Sequence, residues 1–105
     1  MTDKSLVLTT AGSHDEARRI ADVLIERRLA ACVSIVPKIE SVYRWQGQVE
    51  EAEEWLLLIK TTQAAFERVR AAVCEHHSYK LPEFMAISID AGSPSYLKWI
   101  EEAVQ

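Results

Sequence analysis

The residues best suited to chemistry cluster near the end of a segment with helical spacing. Cys74, His76 and His77 lie almost side by side, Glu83 follows six residues after His77, and Cys32 lies far upstream. Residues three apart share a helix face, so Cys74 and His77 could reach one cation, and thiolate with imidazole suits copper or zinc better than calcium. Two ligands do not make a metal site, and an inert cysteine beside surface histidines is the plainer interpretation.

Common enzymatic and nucleotide-binding motifs are missing from the sequence. Its three glycines, Gly12, Gly47 and Gly92, lie too far apart for a Gly-rich phosphate loop. The sequence also lacks the His-Glu-x-x-His, Cys-x-x-Cys and Gly-x-Ser-x-Gly patterns of zinc proteases, paired-cysteine sites and serine hydrolases. We therefore expect a binding protein rather than an enzyme.

Size and composition indicate one globular domain spanning residues 1–105. The chain is 49% hydrophobic and 27% charged, and its 16 acidic against 12 basic residues give a net charge of −4. It has no basic cluster that could follow a nucleic-acid backbone. No apolar run approaches the roughly 18 residues that span a bilayer, and the N-terminus lacks a secretory pattern. We expect a cytoplasmic protein with reduced thiols that binds neither nucleic acid nor membrane.

The first residues predict a strand followed by a helix. Lys4–Thr10 is short, apolar and rich in β-branched residues, as in a strand. Ser13 with Glu16 three residues later is a capping-box pattern, in which each side chain accepts a hydrogen bond from the backbone of the other residue. An apolar stripe then follows at helical spacing and predicts an amphipathic helix, with Ala17, Ile20, Ala21 and Leu24 on its buried face.

Residues 31–62 change to extended periodicity and predict a long β-hairpin. Pro37 indicates a kink in its first strand, because proline cannot donate a ladder hydrogen bond. Gln46-Gly47-Gln48 offers a turn, and we expect the partner strand to run from about Glu54 to Thr61. An acidic stretch would then lie close to the hairpin tip, either as a solvated face or as protection of an exposed edge; it comprises Glu50, Glu51, Glu53 and Glu54.

The second half predicts a helix, a strand and a C-terminal helix. Gln63–His77 has helical spacing, Ser78–Glu83 is a turn, and Phe84–Ile89 is a compact apolar run typical of a buried strand. Ser93 or Ser95 can cap the last helix.

The order of these elements predicts the fold class. Strand, helix, strand, strand, helix, strand describes an α+β ferredoxin-like sandwich, here with an added C-terminal helix. The central hairpin is longer than so small a domain can cover. We therefore expect its outer part to pack against another subunit.

Four segments together resemble a known family. They read Ala30-Ala31-Cys32-Val33, Tyr43-Arg44-Trp45-Gln46-Gly47, Leu58-Ile59-Lys60-Thr61-Thr62 and His77-Ser78-Tyr79-Lys80-Leu81-Pro82-Glu83. In this order they resemble the CutA family of divalent-cation tolerance proteins. The similarity is collinear and extends from the first strand to Tyr96-Leu97-Lys98-Trp99 of the last helix.

This resemblance implies an assembly, a ligand and a set of site residues. The assembly is a homotrimer whose long hairpins pair between neighbours, similar to the PII signalling proteins. The ligand is a divalent metal, chiefly copper with zinc as the other candidate, and the role is metal tolerance in the cytosol. The implied metal ligands are Cys32, His77 and Glu83, and the implied lining of an intersubunit pocket is Lys60, Tyr79 and Trp45.

The chain departs from the family pattern beside one implied ligand. The family commonly has His-Pro-Tyr where this sequence has His77-Ser78-Tyr79. The loss of proline removes a backbone constraint next to His77. Cys74 has no family counterpart that we can assign, so it ranks below Cys32 and His77 as a ligand.

Three other interpretations stay open. The first is a PII-like signalling module that binds a small metabolite or nucleotide in intersubunit clefts through Lys60, Tyr79 and Glu83. The second is an enzyme with Cys32 as nucleophile and His77 as base, although no orienting group or oxyanion motif accompanies them. The third is a stable scaffold with incidental metal binding. Any of these leaves room for an unidentified protein partner.

Overall fold

The computed structural model describes residues 2–105, which form four strands and three α-helices. In chain order the elements are β1 Lys4–Ala11, α1 His14–Glu26, β2 Cys32–Trp45, β3 Gln48–Thr62, a 3-10 turn Gln63–Ala65, α2 Phe66–His76, β4 Met85–Ser88 and α3 Pro94–Ala103. The strands form one antiparallel sheet in the order β2-β3-β1-β4. This is the predicted ferredoxin-like arrangement with an added C-terminal helix, and the predicted α+β fold class is confirmed.

The core lies between one sheet face and the helices α1 and α2. Successive strand residues point to opposite faces, so alternate residues of β1 and β3 meet the helices. Val7, Leu57 and Ile59 are fully buried on this face. They belong to one cluster with apolar residues of both helices, including Ile20, Leu24, Val69 and Val73. Burial of these side chains fixes α1 and α2 on the same face of the sheet.

The start of α1 follows the predicted cap in part. Ser13 has extended backbone angles and its Oγ accepts a hydrogen bond from the backbone N–H of Glu16 at 3.1 Å. The Glu16 carboxylate does not complete the predicted capping box, because it accepts two hydrogen bonds from Ser78 instead. The first turn of α1 is thereby joined to the segment that follows α2.

The hairpin β2–β3 is longer than predicted. β3 begins at Gln48 rather than near Glu54, so the acidic stretch lies within a paired strand and not in the turn. The turn itself is only two residues, Gln46 at φ 51° and Gly47 at φ 81°. Positive φ at both positions is the geometry of the tight turns whose twist matches paired strands, which allows pairing to start at Trp45 and Gln48.

The predicted kink in β2 is present. The register with β3 shifts between Val36 and Ile39, leaving Pro37 and Lys38 as a bulge, and Lys38 has a φ of 55°. A bulge bends the strand and increases its twist. Beyond the bulge, the hairpin extends away from the rest of the domain. The molecule as a whole measures 44 × 26 × 23 Å.

The prediction that Phe84–Ile89 forms a buried strand is wrong in two respects. β4 is shorter, Met85–Ser88, and each of its four residues is exposed. Among the strands formed by residues 2–105, it lies at a sheet edge and pairs only with β1. The apolar residues for which the sequence predicted burial therefore lie on the surface of the chain.

The second sheet face is apolar and largely uncovered. α3 reaches one end of it, where the Lys4 ammonium lies 3.7 Å from the Glu101 carboxylate. The strand register places a set of apolar side chains on this face, all of them partly or largely exposed: Leu6, Leu8, Val36, Leu56, Leu58, Met85 and Ile87. We call this set the open sheet face.

None of the helices formed by residues 2–105 has the length and apolar character needed to cross a membrane.

Candidate functional site

Cys32 and Lys60 are neighbours on the open sheet face. They are directly paired across β2 and β3, and Leu6 and Ile87 continue the same row across the sheet. The Lys60 Nζ lies 3.8 Å from the Cys32 sulfur and donates a hydrogen bond to the Ser34 hydroxyl at 2.7 Å. Cys32 and Lys60 are both half-buried. The predicted ligand and one predicted pocket residue thus form a thiol–ammonium pair.

The structure does not join Cys32 to His77, the pair of residues that the enzyme interpretation requires. Within the described part of the chain, its sulfur has hydrogen-bond contacts only with Lys60 and Ser34, at 3.8 and 3.9 Å. His77, the proposed base, is engaged elsewhere. A metal cation approaching the Cys32 sulfur would have to displace the Lys60 ammonium, because like charges repel at such distances.

His77 is held by both of its ring nitrogens. Its Nε2 donates to the Thr10 carbonyl at 2.6 Å, and its Nδ1 accepts from the backbone N–H of Tyr79 at 3.0 Å. Its backbone is extended and lies outside α2, which ends at His76. The helical spacing that would bring Cys74 and His77 to one cation therefore does not apply, and Cys74 is exposed with its sulfur 3.9 Å from Arg70.

Tyr79 connects the segment after α2 to β3. Its hydroxyl donates to the Glu54 carboxylate at 2.8 Å, and its ring lies 4.8 Å from that of His77. Burial raises the pKa of the Tyr79 hydroxyl well above its ordinary value, and the hydrogen bond to the Glu54 carboxylate raises it further. Tyr79 therefore acts as a hydrogen-bond donor across the physiological pH range.

A cavity of about 1000 Å³ lies between residues 39–54, the part of the hairpin beyond the bulge, which we call the outer hairpin, and residues 77–84, the segment that follows α2. Three of the predicted site residues line it, namely Trp45, Tyr79 and Glu83. The remaining wall includes Tyr43, Glu54, Leu81, Pro82, Phe84 and Met85. Cys32, Lys60 and His77 do not line it. Of the six predicted site residues, three therefore line the cavity, two form the thiol–ammonium pair, and His77 contacts backbone groups.

The predicted metal ligands do not converge within one chain. Among residues 2–105, no three His, Cys, Asp or Glu side chains come together in a way that could hold a metal ion. Cys32 is held by Lys60, His77 by backbone groups, and Glu83 is exposed at the cavity wall. One chain as folded here does not offer a complete site for copper or zinc, which need about four ligands at close range.

Sequence reasoning missed several residues that organise this region. Glu54 and Glu16 are 6% and 5% exposed, yet each is a carboxylate that accepts hydrogen bonds from the segment after α2. For Glu54 a signal exists, because two-residue spacing aligns it with Leu56, Leu58 and Lys60 on one strand face. For Glu16, the capping-box pattern predicted a contact with the backbone N–H of Ser13 and so gave no sign of the contact with Ser78. The backbone contact of His77 with Thr10 has no local signal at all.

Comparisons with known proteins agree with this fold over nearly its full length. The family model described as CutA1 divalent ion tolerance protein matches residues 5–103. A Thermus thermophilus protein named divalent-cation tolerance protein CutA is 48% identical over 99 residues, which cover 94% of this chain and 96% of that protein.

Two further relatives bear on length and structure. A chloroplastic CutA protein of Arabidopsis thaliana is 39% identical, and the match covers 95% of this chain but 55% of that longer protein. The crystal structure of CutA from Xylella fastidiosa aligns with a TM-score of 0.97 at 38% identity, over 99% of this chain and 100% of that one.

Proposed function

Because the chain belongs to the CutA1 divalent ion tolerance family, we propose that it acts in metal tolerance as a homotrimer that binds copper or a similar divalent metal and catalyses no reaction. The observation that carries this proposal is the open sheet face, an apolar surface in which Cys32 is set. The face supports assembly, and it gives the thiol a place where a second chain can supply further ligands.

The case for self-association starts from exposed apolar area. Monomeric proteins rarely leave a large contiguous apolar surface in water. Here Met85 and Ile87 of the edge strand β4 are about half exposed, at 48% and 51%. A strand edge with unpaired backbone groups invites pairing with another chain. The outer hairpin, which extends beyond the body, is a suitable partner for that edge in a PII-like trimer.

The case for a shared metal site starts from the separation of the ligands. Cys32, His77 and Glu83 remain our proposed ligand residues, and one chain does not bring them together. Assembly over the open sheet face would place Cys32 against residues of a neighbour. Glu83 is exposed and free to serve a neighbouring chain, whereas His77 would first have to release the Thr10 carbonyl. We rank Cys32 first because it lies in the open sheet face, where a neighbour can add ligands once the Lys60 ammonium has moved aside.

A calorimetric titration of reduced, metal-free protein with Zn²⁺ and with Cu²⁺ tests the proposal. Co²⁺ titration adds a spectroscopic readout, because thiolate ligation produces a charge-transfer band. The matched variants are Cys32→Ser and Cys74→Ser, which remove one thiol each. We expect saturable binding that Cys32→Ser abolishes and Cys74→Ser preserves. Equal binding by both variants would remove Cys32 as a ligand.

We further propose that the chain works as a single domain in the cytoplasm. Cys32 and Cys74 are not joined by a disulfide, and unpaired cysteines are usual in that compartment. The Arabidopsis relative carries a chloroplastic name, so location varies among relatives. Cell fractionation with an antibody against the native protein checks this: recovery in an exported fraction would contradict it.

The cavity favours a second candidate function, a PII-like signalling module. A lined space of about 1000 Å³ is large enough for a small metabolite, and Trp45, Tyr79 and Glu83 are placed to contact it. A thermal-shift screen against nucleotides and metabolites tests this role, since a ligand of the folded state raises apparent stability. Lys60 lies outside the cavity in one chain, so it could contribute only through assembly.

A further inference from the structure

Glu54 is a buried carboxylate without a cation. Its residue is 6% exposed, and among residues 2–105 no lysine, arginine or histidine nitrogen lies within 4.0 Å of it. Burying a charge without an opposite charge is costly, and proteins usually pair such groups. The uncompensated charge therefore points to a positive partner that one isolated chain does not supply.

The two oxygens of this carboxylate have different surroundings. Oε2 accepts hydrogen bonds from the Tyr79 hydroxyl at 2.8 Å and from the Thr10 hydroxyl at 3.5 Å. Oε1 accepts none from the described residues, and no fully buried side-chain oxygen in that part of the chain lacks a partner. Oε1 is therefore not fully buried, and Glu54 is one of the residues that line the cavity. Tyr79 and Thr10 hold the group in place and leave one oxygen for a ligand.

Aromatic side chains stand on the same hairpin face. Glu54 is paired with Ile39 across the hairpin, and Tyr43 and Trp45 follow Ile39 at even spacing on β2. Residues at even spacing share a strand face, so both rings project to the side on which Glu54 lies. Tyr43, Trp45 and Tyr79 all line the cavity with Glu54.

We propose that this cavity binds a small organic ammonium ion, with its positive nitrogen at Glu54 Oε1 and its alkyl groups against the aromatic rings. A carboxylate supplies a charge-assisted hydrogen bond or ion pair, and aromatic faces attract quaternary and primary ammonium groups. The apolar wall of Leu81, Pro82 and Phe84 favours an organic cation over a hydrated metal ion. This inference does not rest on the metal proposal.

The basic residues of the cavity wall do not take this role themselves. Arg44 and Lys80 line the cavity, but neither forms an ion pair with Glu54. The Arg44 guanidinium instead donates to the Gly47 carbonyl at 3.4 Å, near the hairpin turn. A metal ion is also a poor candidate, because no third ligand of the Asp, Glu, His or Cys type joins Glu54 and Glu83 in the described residues.

The test is an isothermal titration of the full-length protein with choline and with its uncharged isostere, 3,3-dimethylbutan-1-ol. The two probes have nearly the same shape, so a difference between them measures the contribution of the charge. The key variant is Glu54→Gln, which keeps the shape and one acceptor for Tyr79. Glu53→Gln is the matched control, because Glu53 is exposed and points to the other hairpin face.

We expect saturable binding of choline, at least about tenfold weaker binding of the isostere, and a similar loss in Glu54→Gln but not in Glu53→Gln. Trp45→Leu provides a second variant that leaves Glu54 in place, and we expect it to weaken choline binding at least threefold. Equal affinity for choline and its isostere would overturn the proposal. An absence of saturable choline binding by the wild-type protein would also overturn it. If Glu54→Gln then also weakened assembly, a basic side chain of a second copy would be the group that occupies the site.

Discussion

Glu16, in the first turn of α1, accepts hydrogen bonds from both the backbone N–H and the hydroxyl of Ser78, at 2.6 and 3.0 Å. This pair closes the segment after α2 onto the start of α1. It holds Ser78 between His77, which bonds to β1 through Thr10, and Tyr79, which bonds to β3 through Glu54. Three consecutive residues are thus fixed to three different elements, and two of them, Ser78 and Tyr79, line the cavity.

The Glu16–Ser78 contact predicts a stability effect. We expect Glu16→Ala to lower the free energy of unfolding by about 1–3 kcal/mol, because a charged acceptor is lost and the Ser78 donors lose their partner. Ser78→Ala removes only the hydroxyl and should cost about 1 kcal/mol. Urea denaturation measures both. Glu26→Ala, an exposed carboxylate of the same helix, is the control, and an equal effect there would contradict the assignment.

The raised pKa of Tyr79 predicts a loss of stability in alkaline solution. Burial and the Glu54 carboxylate keep the folded phenol protonated, whereas an unfolded tyrosine ionises near pH 10. The folded state therefore binds the proton more tightly, and its stability is retained below about pH 10 and lost above it, by up to about 1.4 kcal/mol per pH unit.

Urea midpoints measured from pH 8 to 11 for the wild-type protein and for Tyr79→Phe check this alkaline effect. The variant should be less stable at pH 8, because Glu54 loses a donor, and should show a smaller decline above pH 10. Parallel declines in the two proteins would mean that Tyr79 does not cause the effect.

The open sheet face predicts where assembly can be disrupted. Leu58 lies in the middle of that face, between Ser34 and Leu8 in the paired strands. We expect Leu58→Lys to convert the proposed trimer to single chains, because an ammonium would be buried without a partner. Ile25→Lys is the control, since Ile25 is 44% exposed on α1, which packs on the opposite face of the sheet. Sedimentation velocity measures the mass, and circular dichroism confirms that both variants fold.

The proposed thiolate ligand predicts a dependence of metal affinity on pH. Cys32 must lose its proton to bind a metal, and His77, if it takes part, must be neutral. Below neutrality each proton that has to leave weakens apparent affinity by about tenfold per pH unit. Zn²⁺ titrations at pH 7.5 and 6.0 compare the two conditions. A flat affinity would argue against both ligands.

Much of the fold could be predicted because its signals are local. The spacing of Val7 and its neighbours in β1, the Ser13 cap and the bulge at Pro37 each depend on a few adjacent residues. The predicted start of β3, near Glu54, came too late in the chain because the acidic residues before it are not typical of a strand. The tight turn at Gln46-Gly47 nevertheless allows pairing to begin at Gln48. Apolar Phe84–Ile89 suggested burial inside one chain, and sequence pattern alone cannot tell a core strand from an exposed apolar edge strand.

The candidate site was predictable only in part for a different reason. Residue type selects Cys32, His77 and Tyr79, but their partners come from elements far along the chain: Lys60, Thr10 and Glu54. Hydrogen bonds of this kind depend on strand register and helix placement. Neither can be deduced from the few residues on either side of a site residue. The division of the proposed metal ligands among three surroundings could not be anticipated from their spacing.

Native mass spectrometry of the reduced, metal-free protein during addition of Zn²⁺ tests the proposed metal-binding trimer, because one spectrum reports both the number of chains and the number of bound metal ions. We predict a three-chain species that takes up a fixed number of ions, at most one per chain, and that loses this uptake in Cys32→Ser but not in Cys74→Ser. A single-chain species, or a three-chain species without specific uptake of metal, would contradict it.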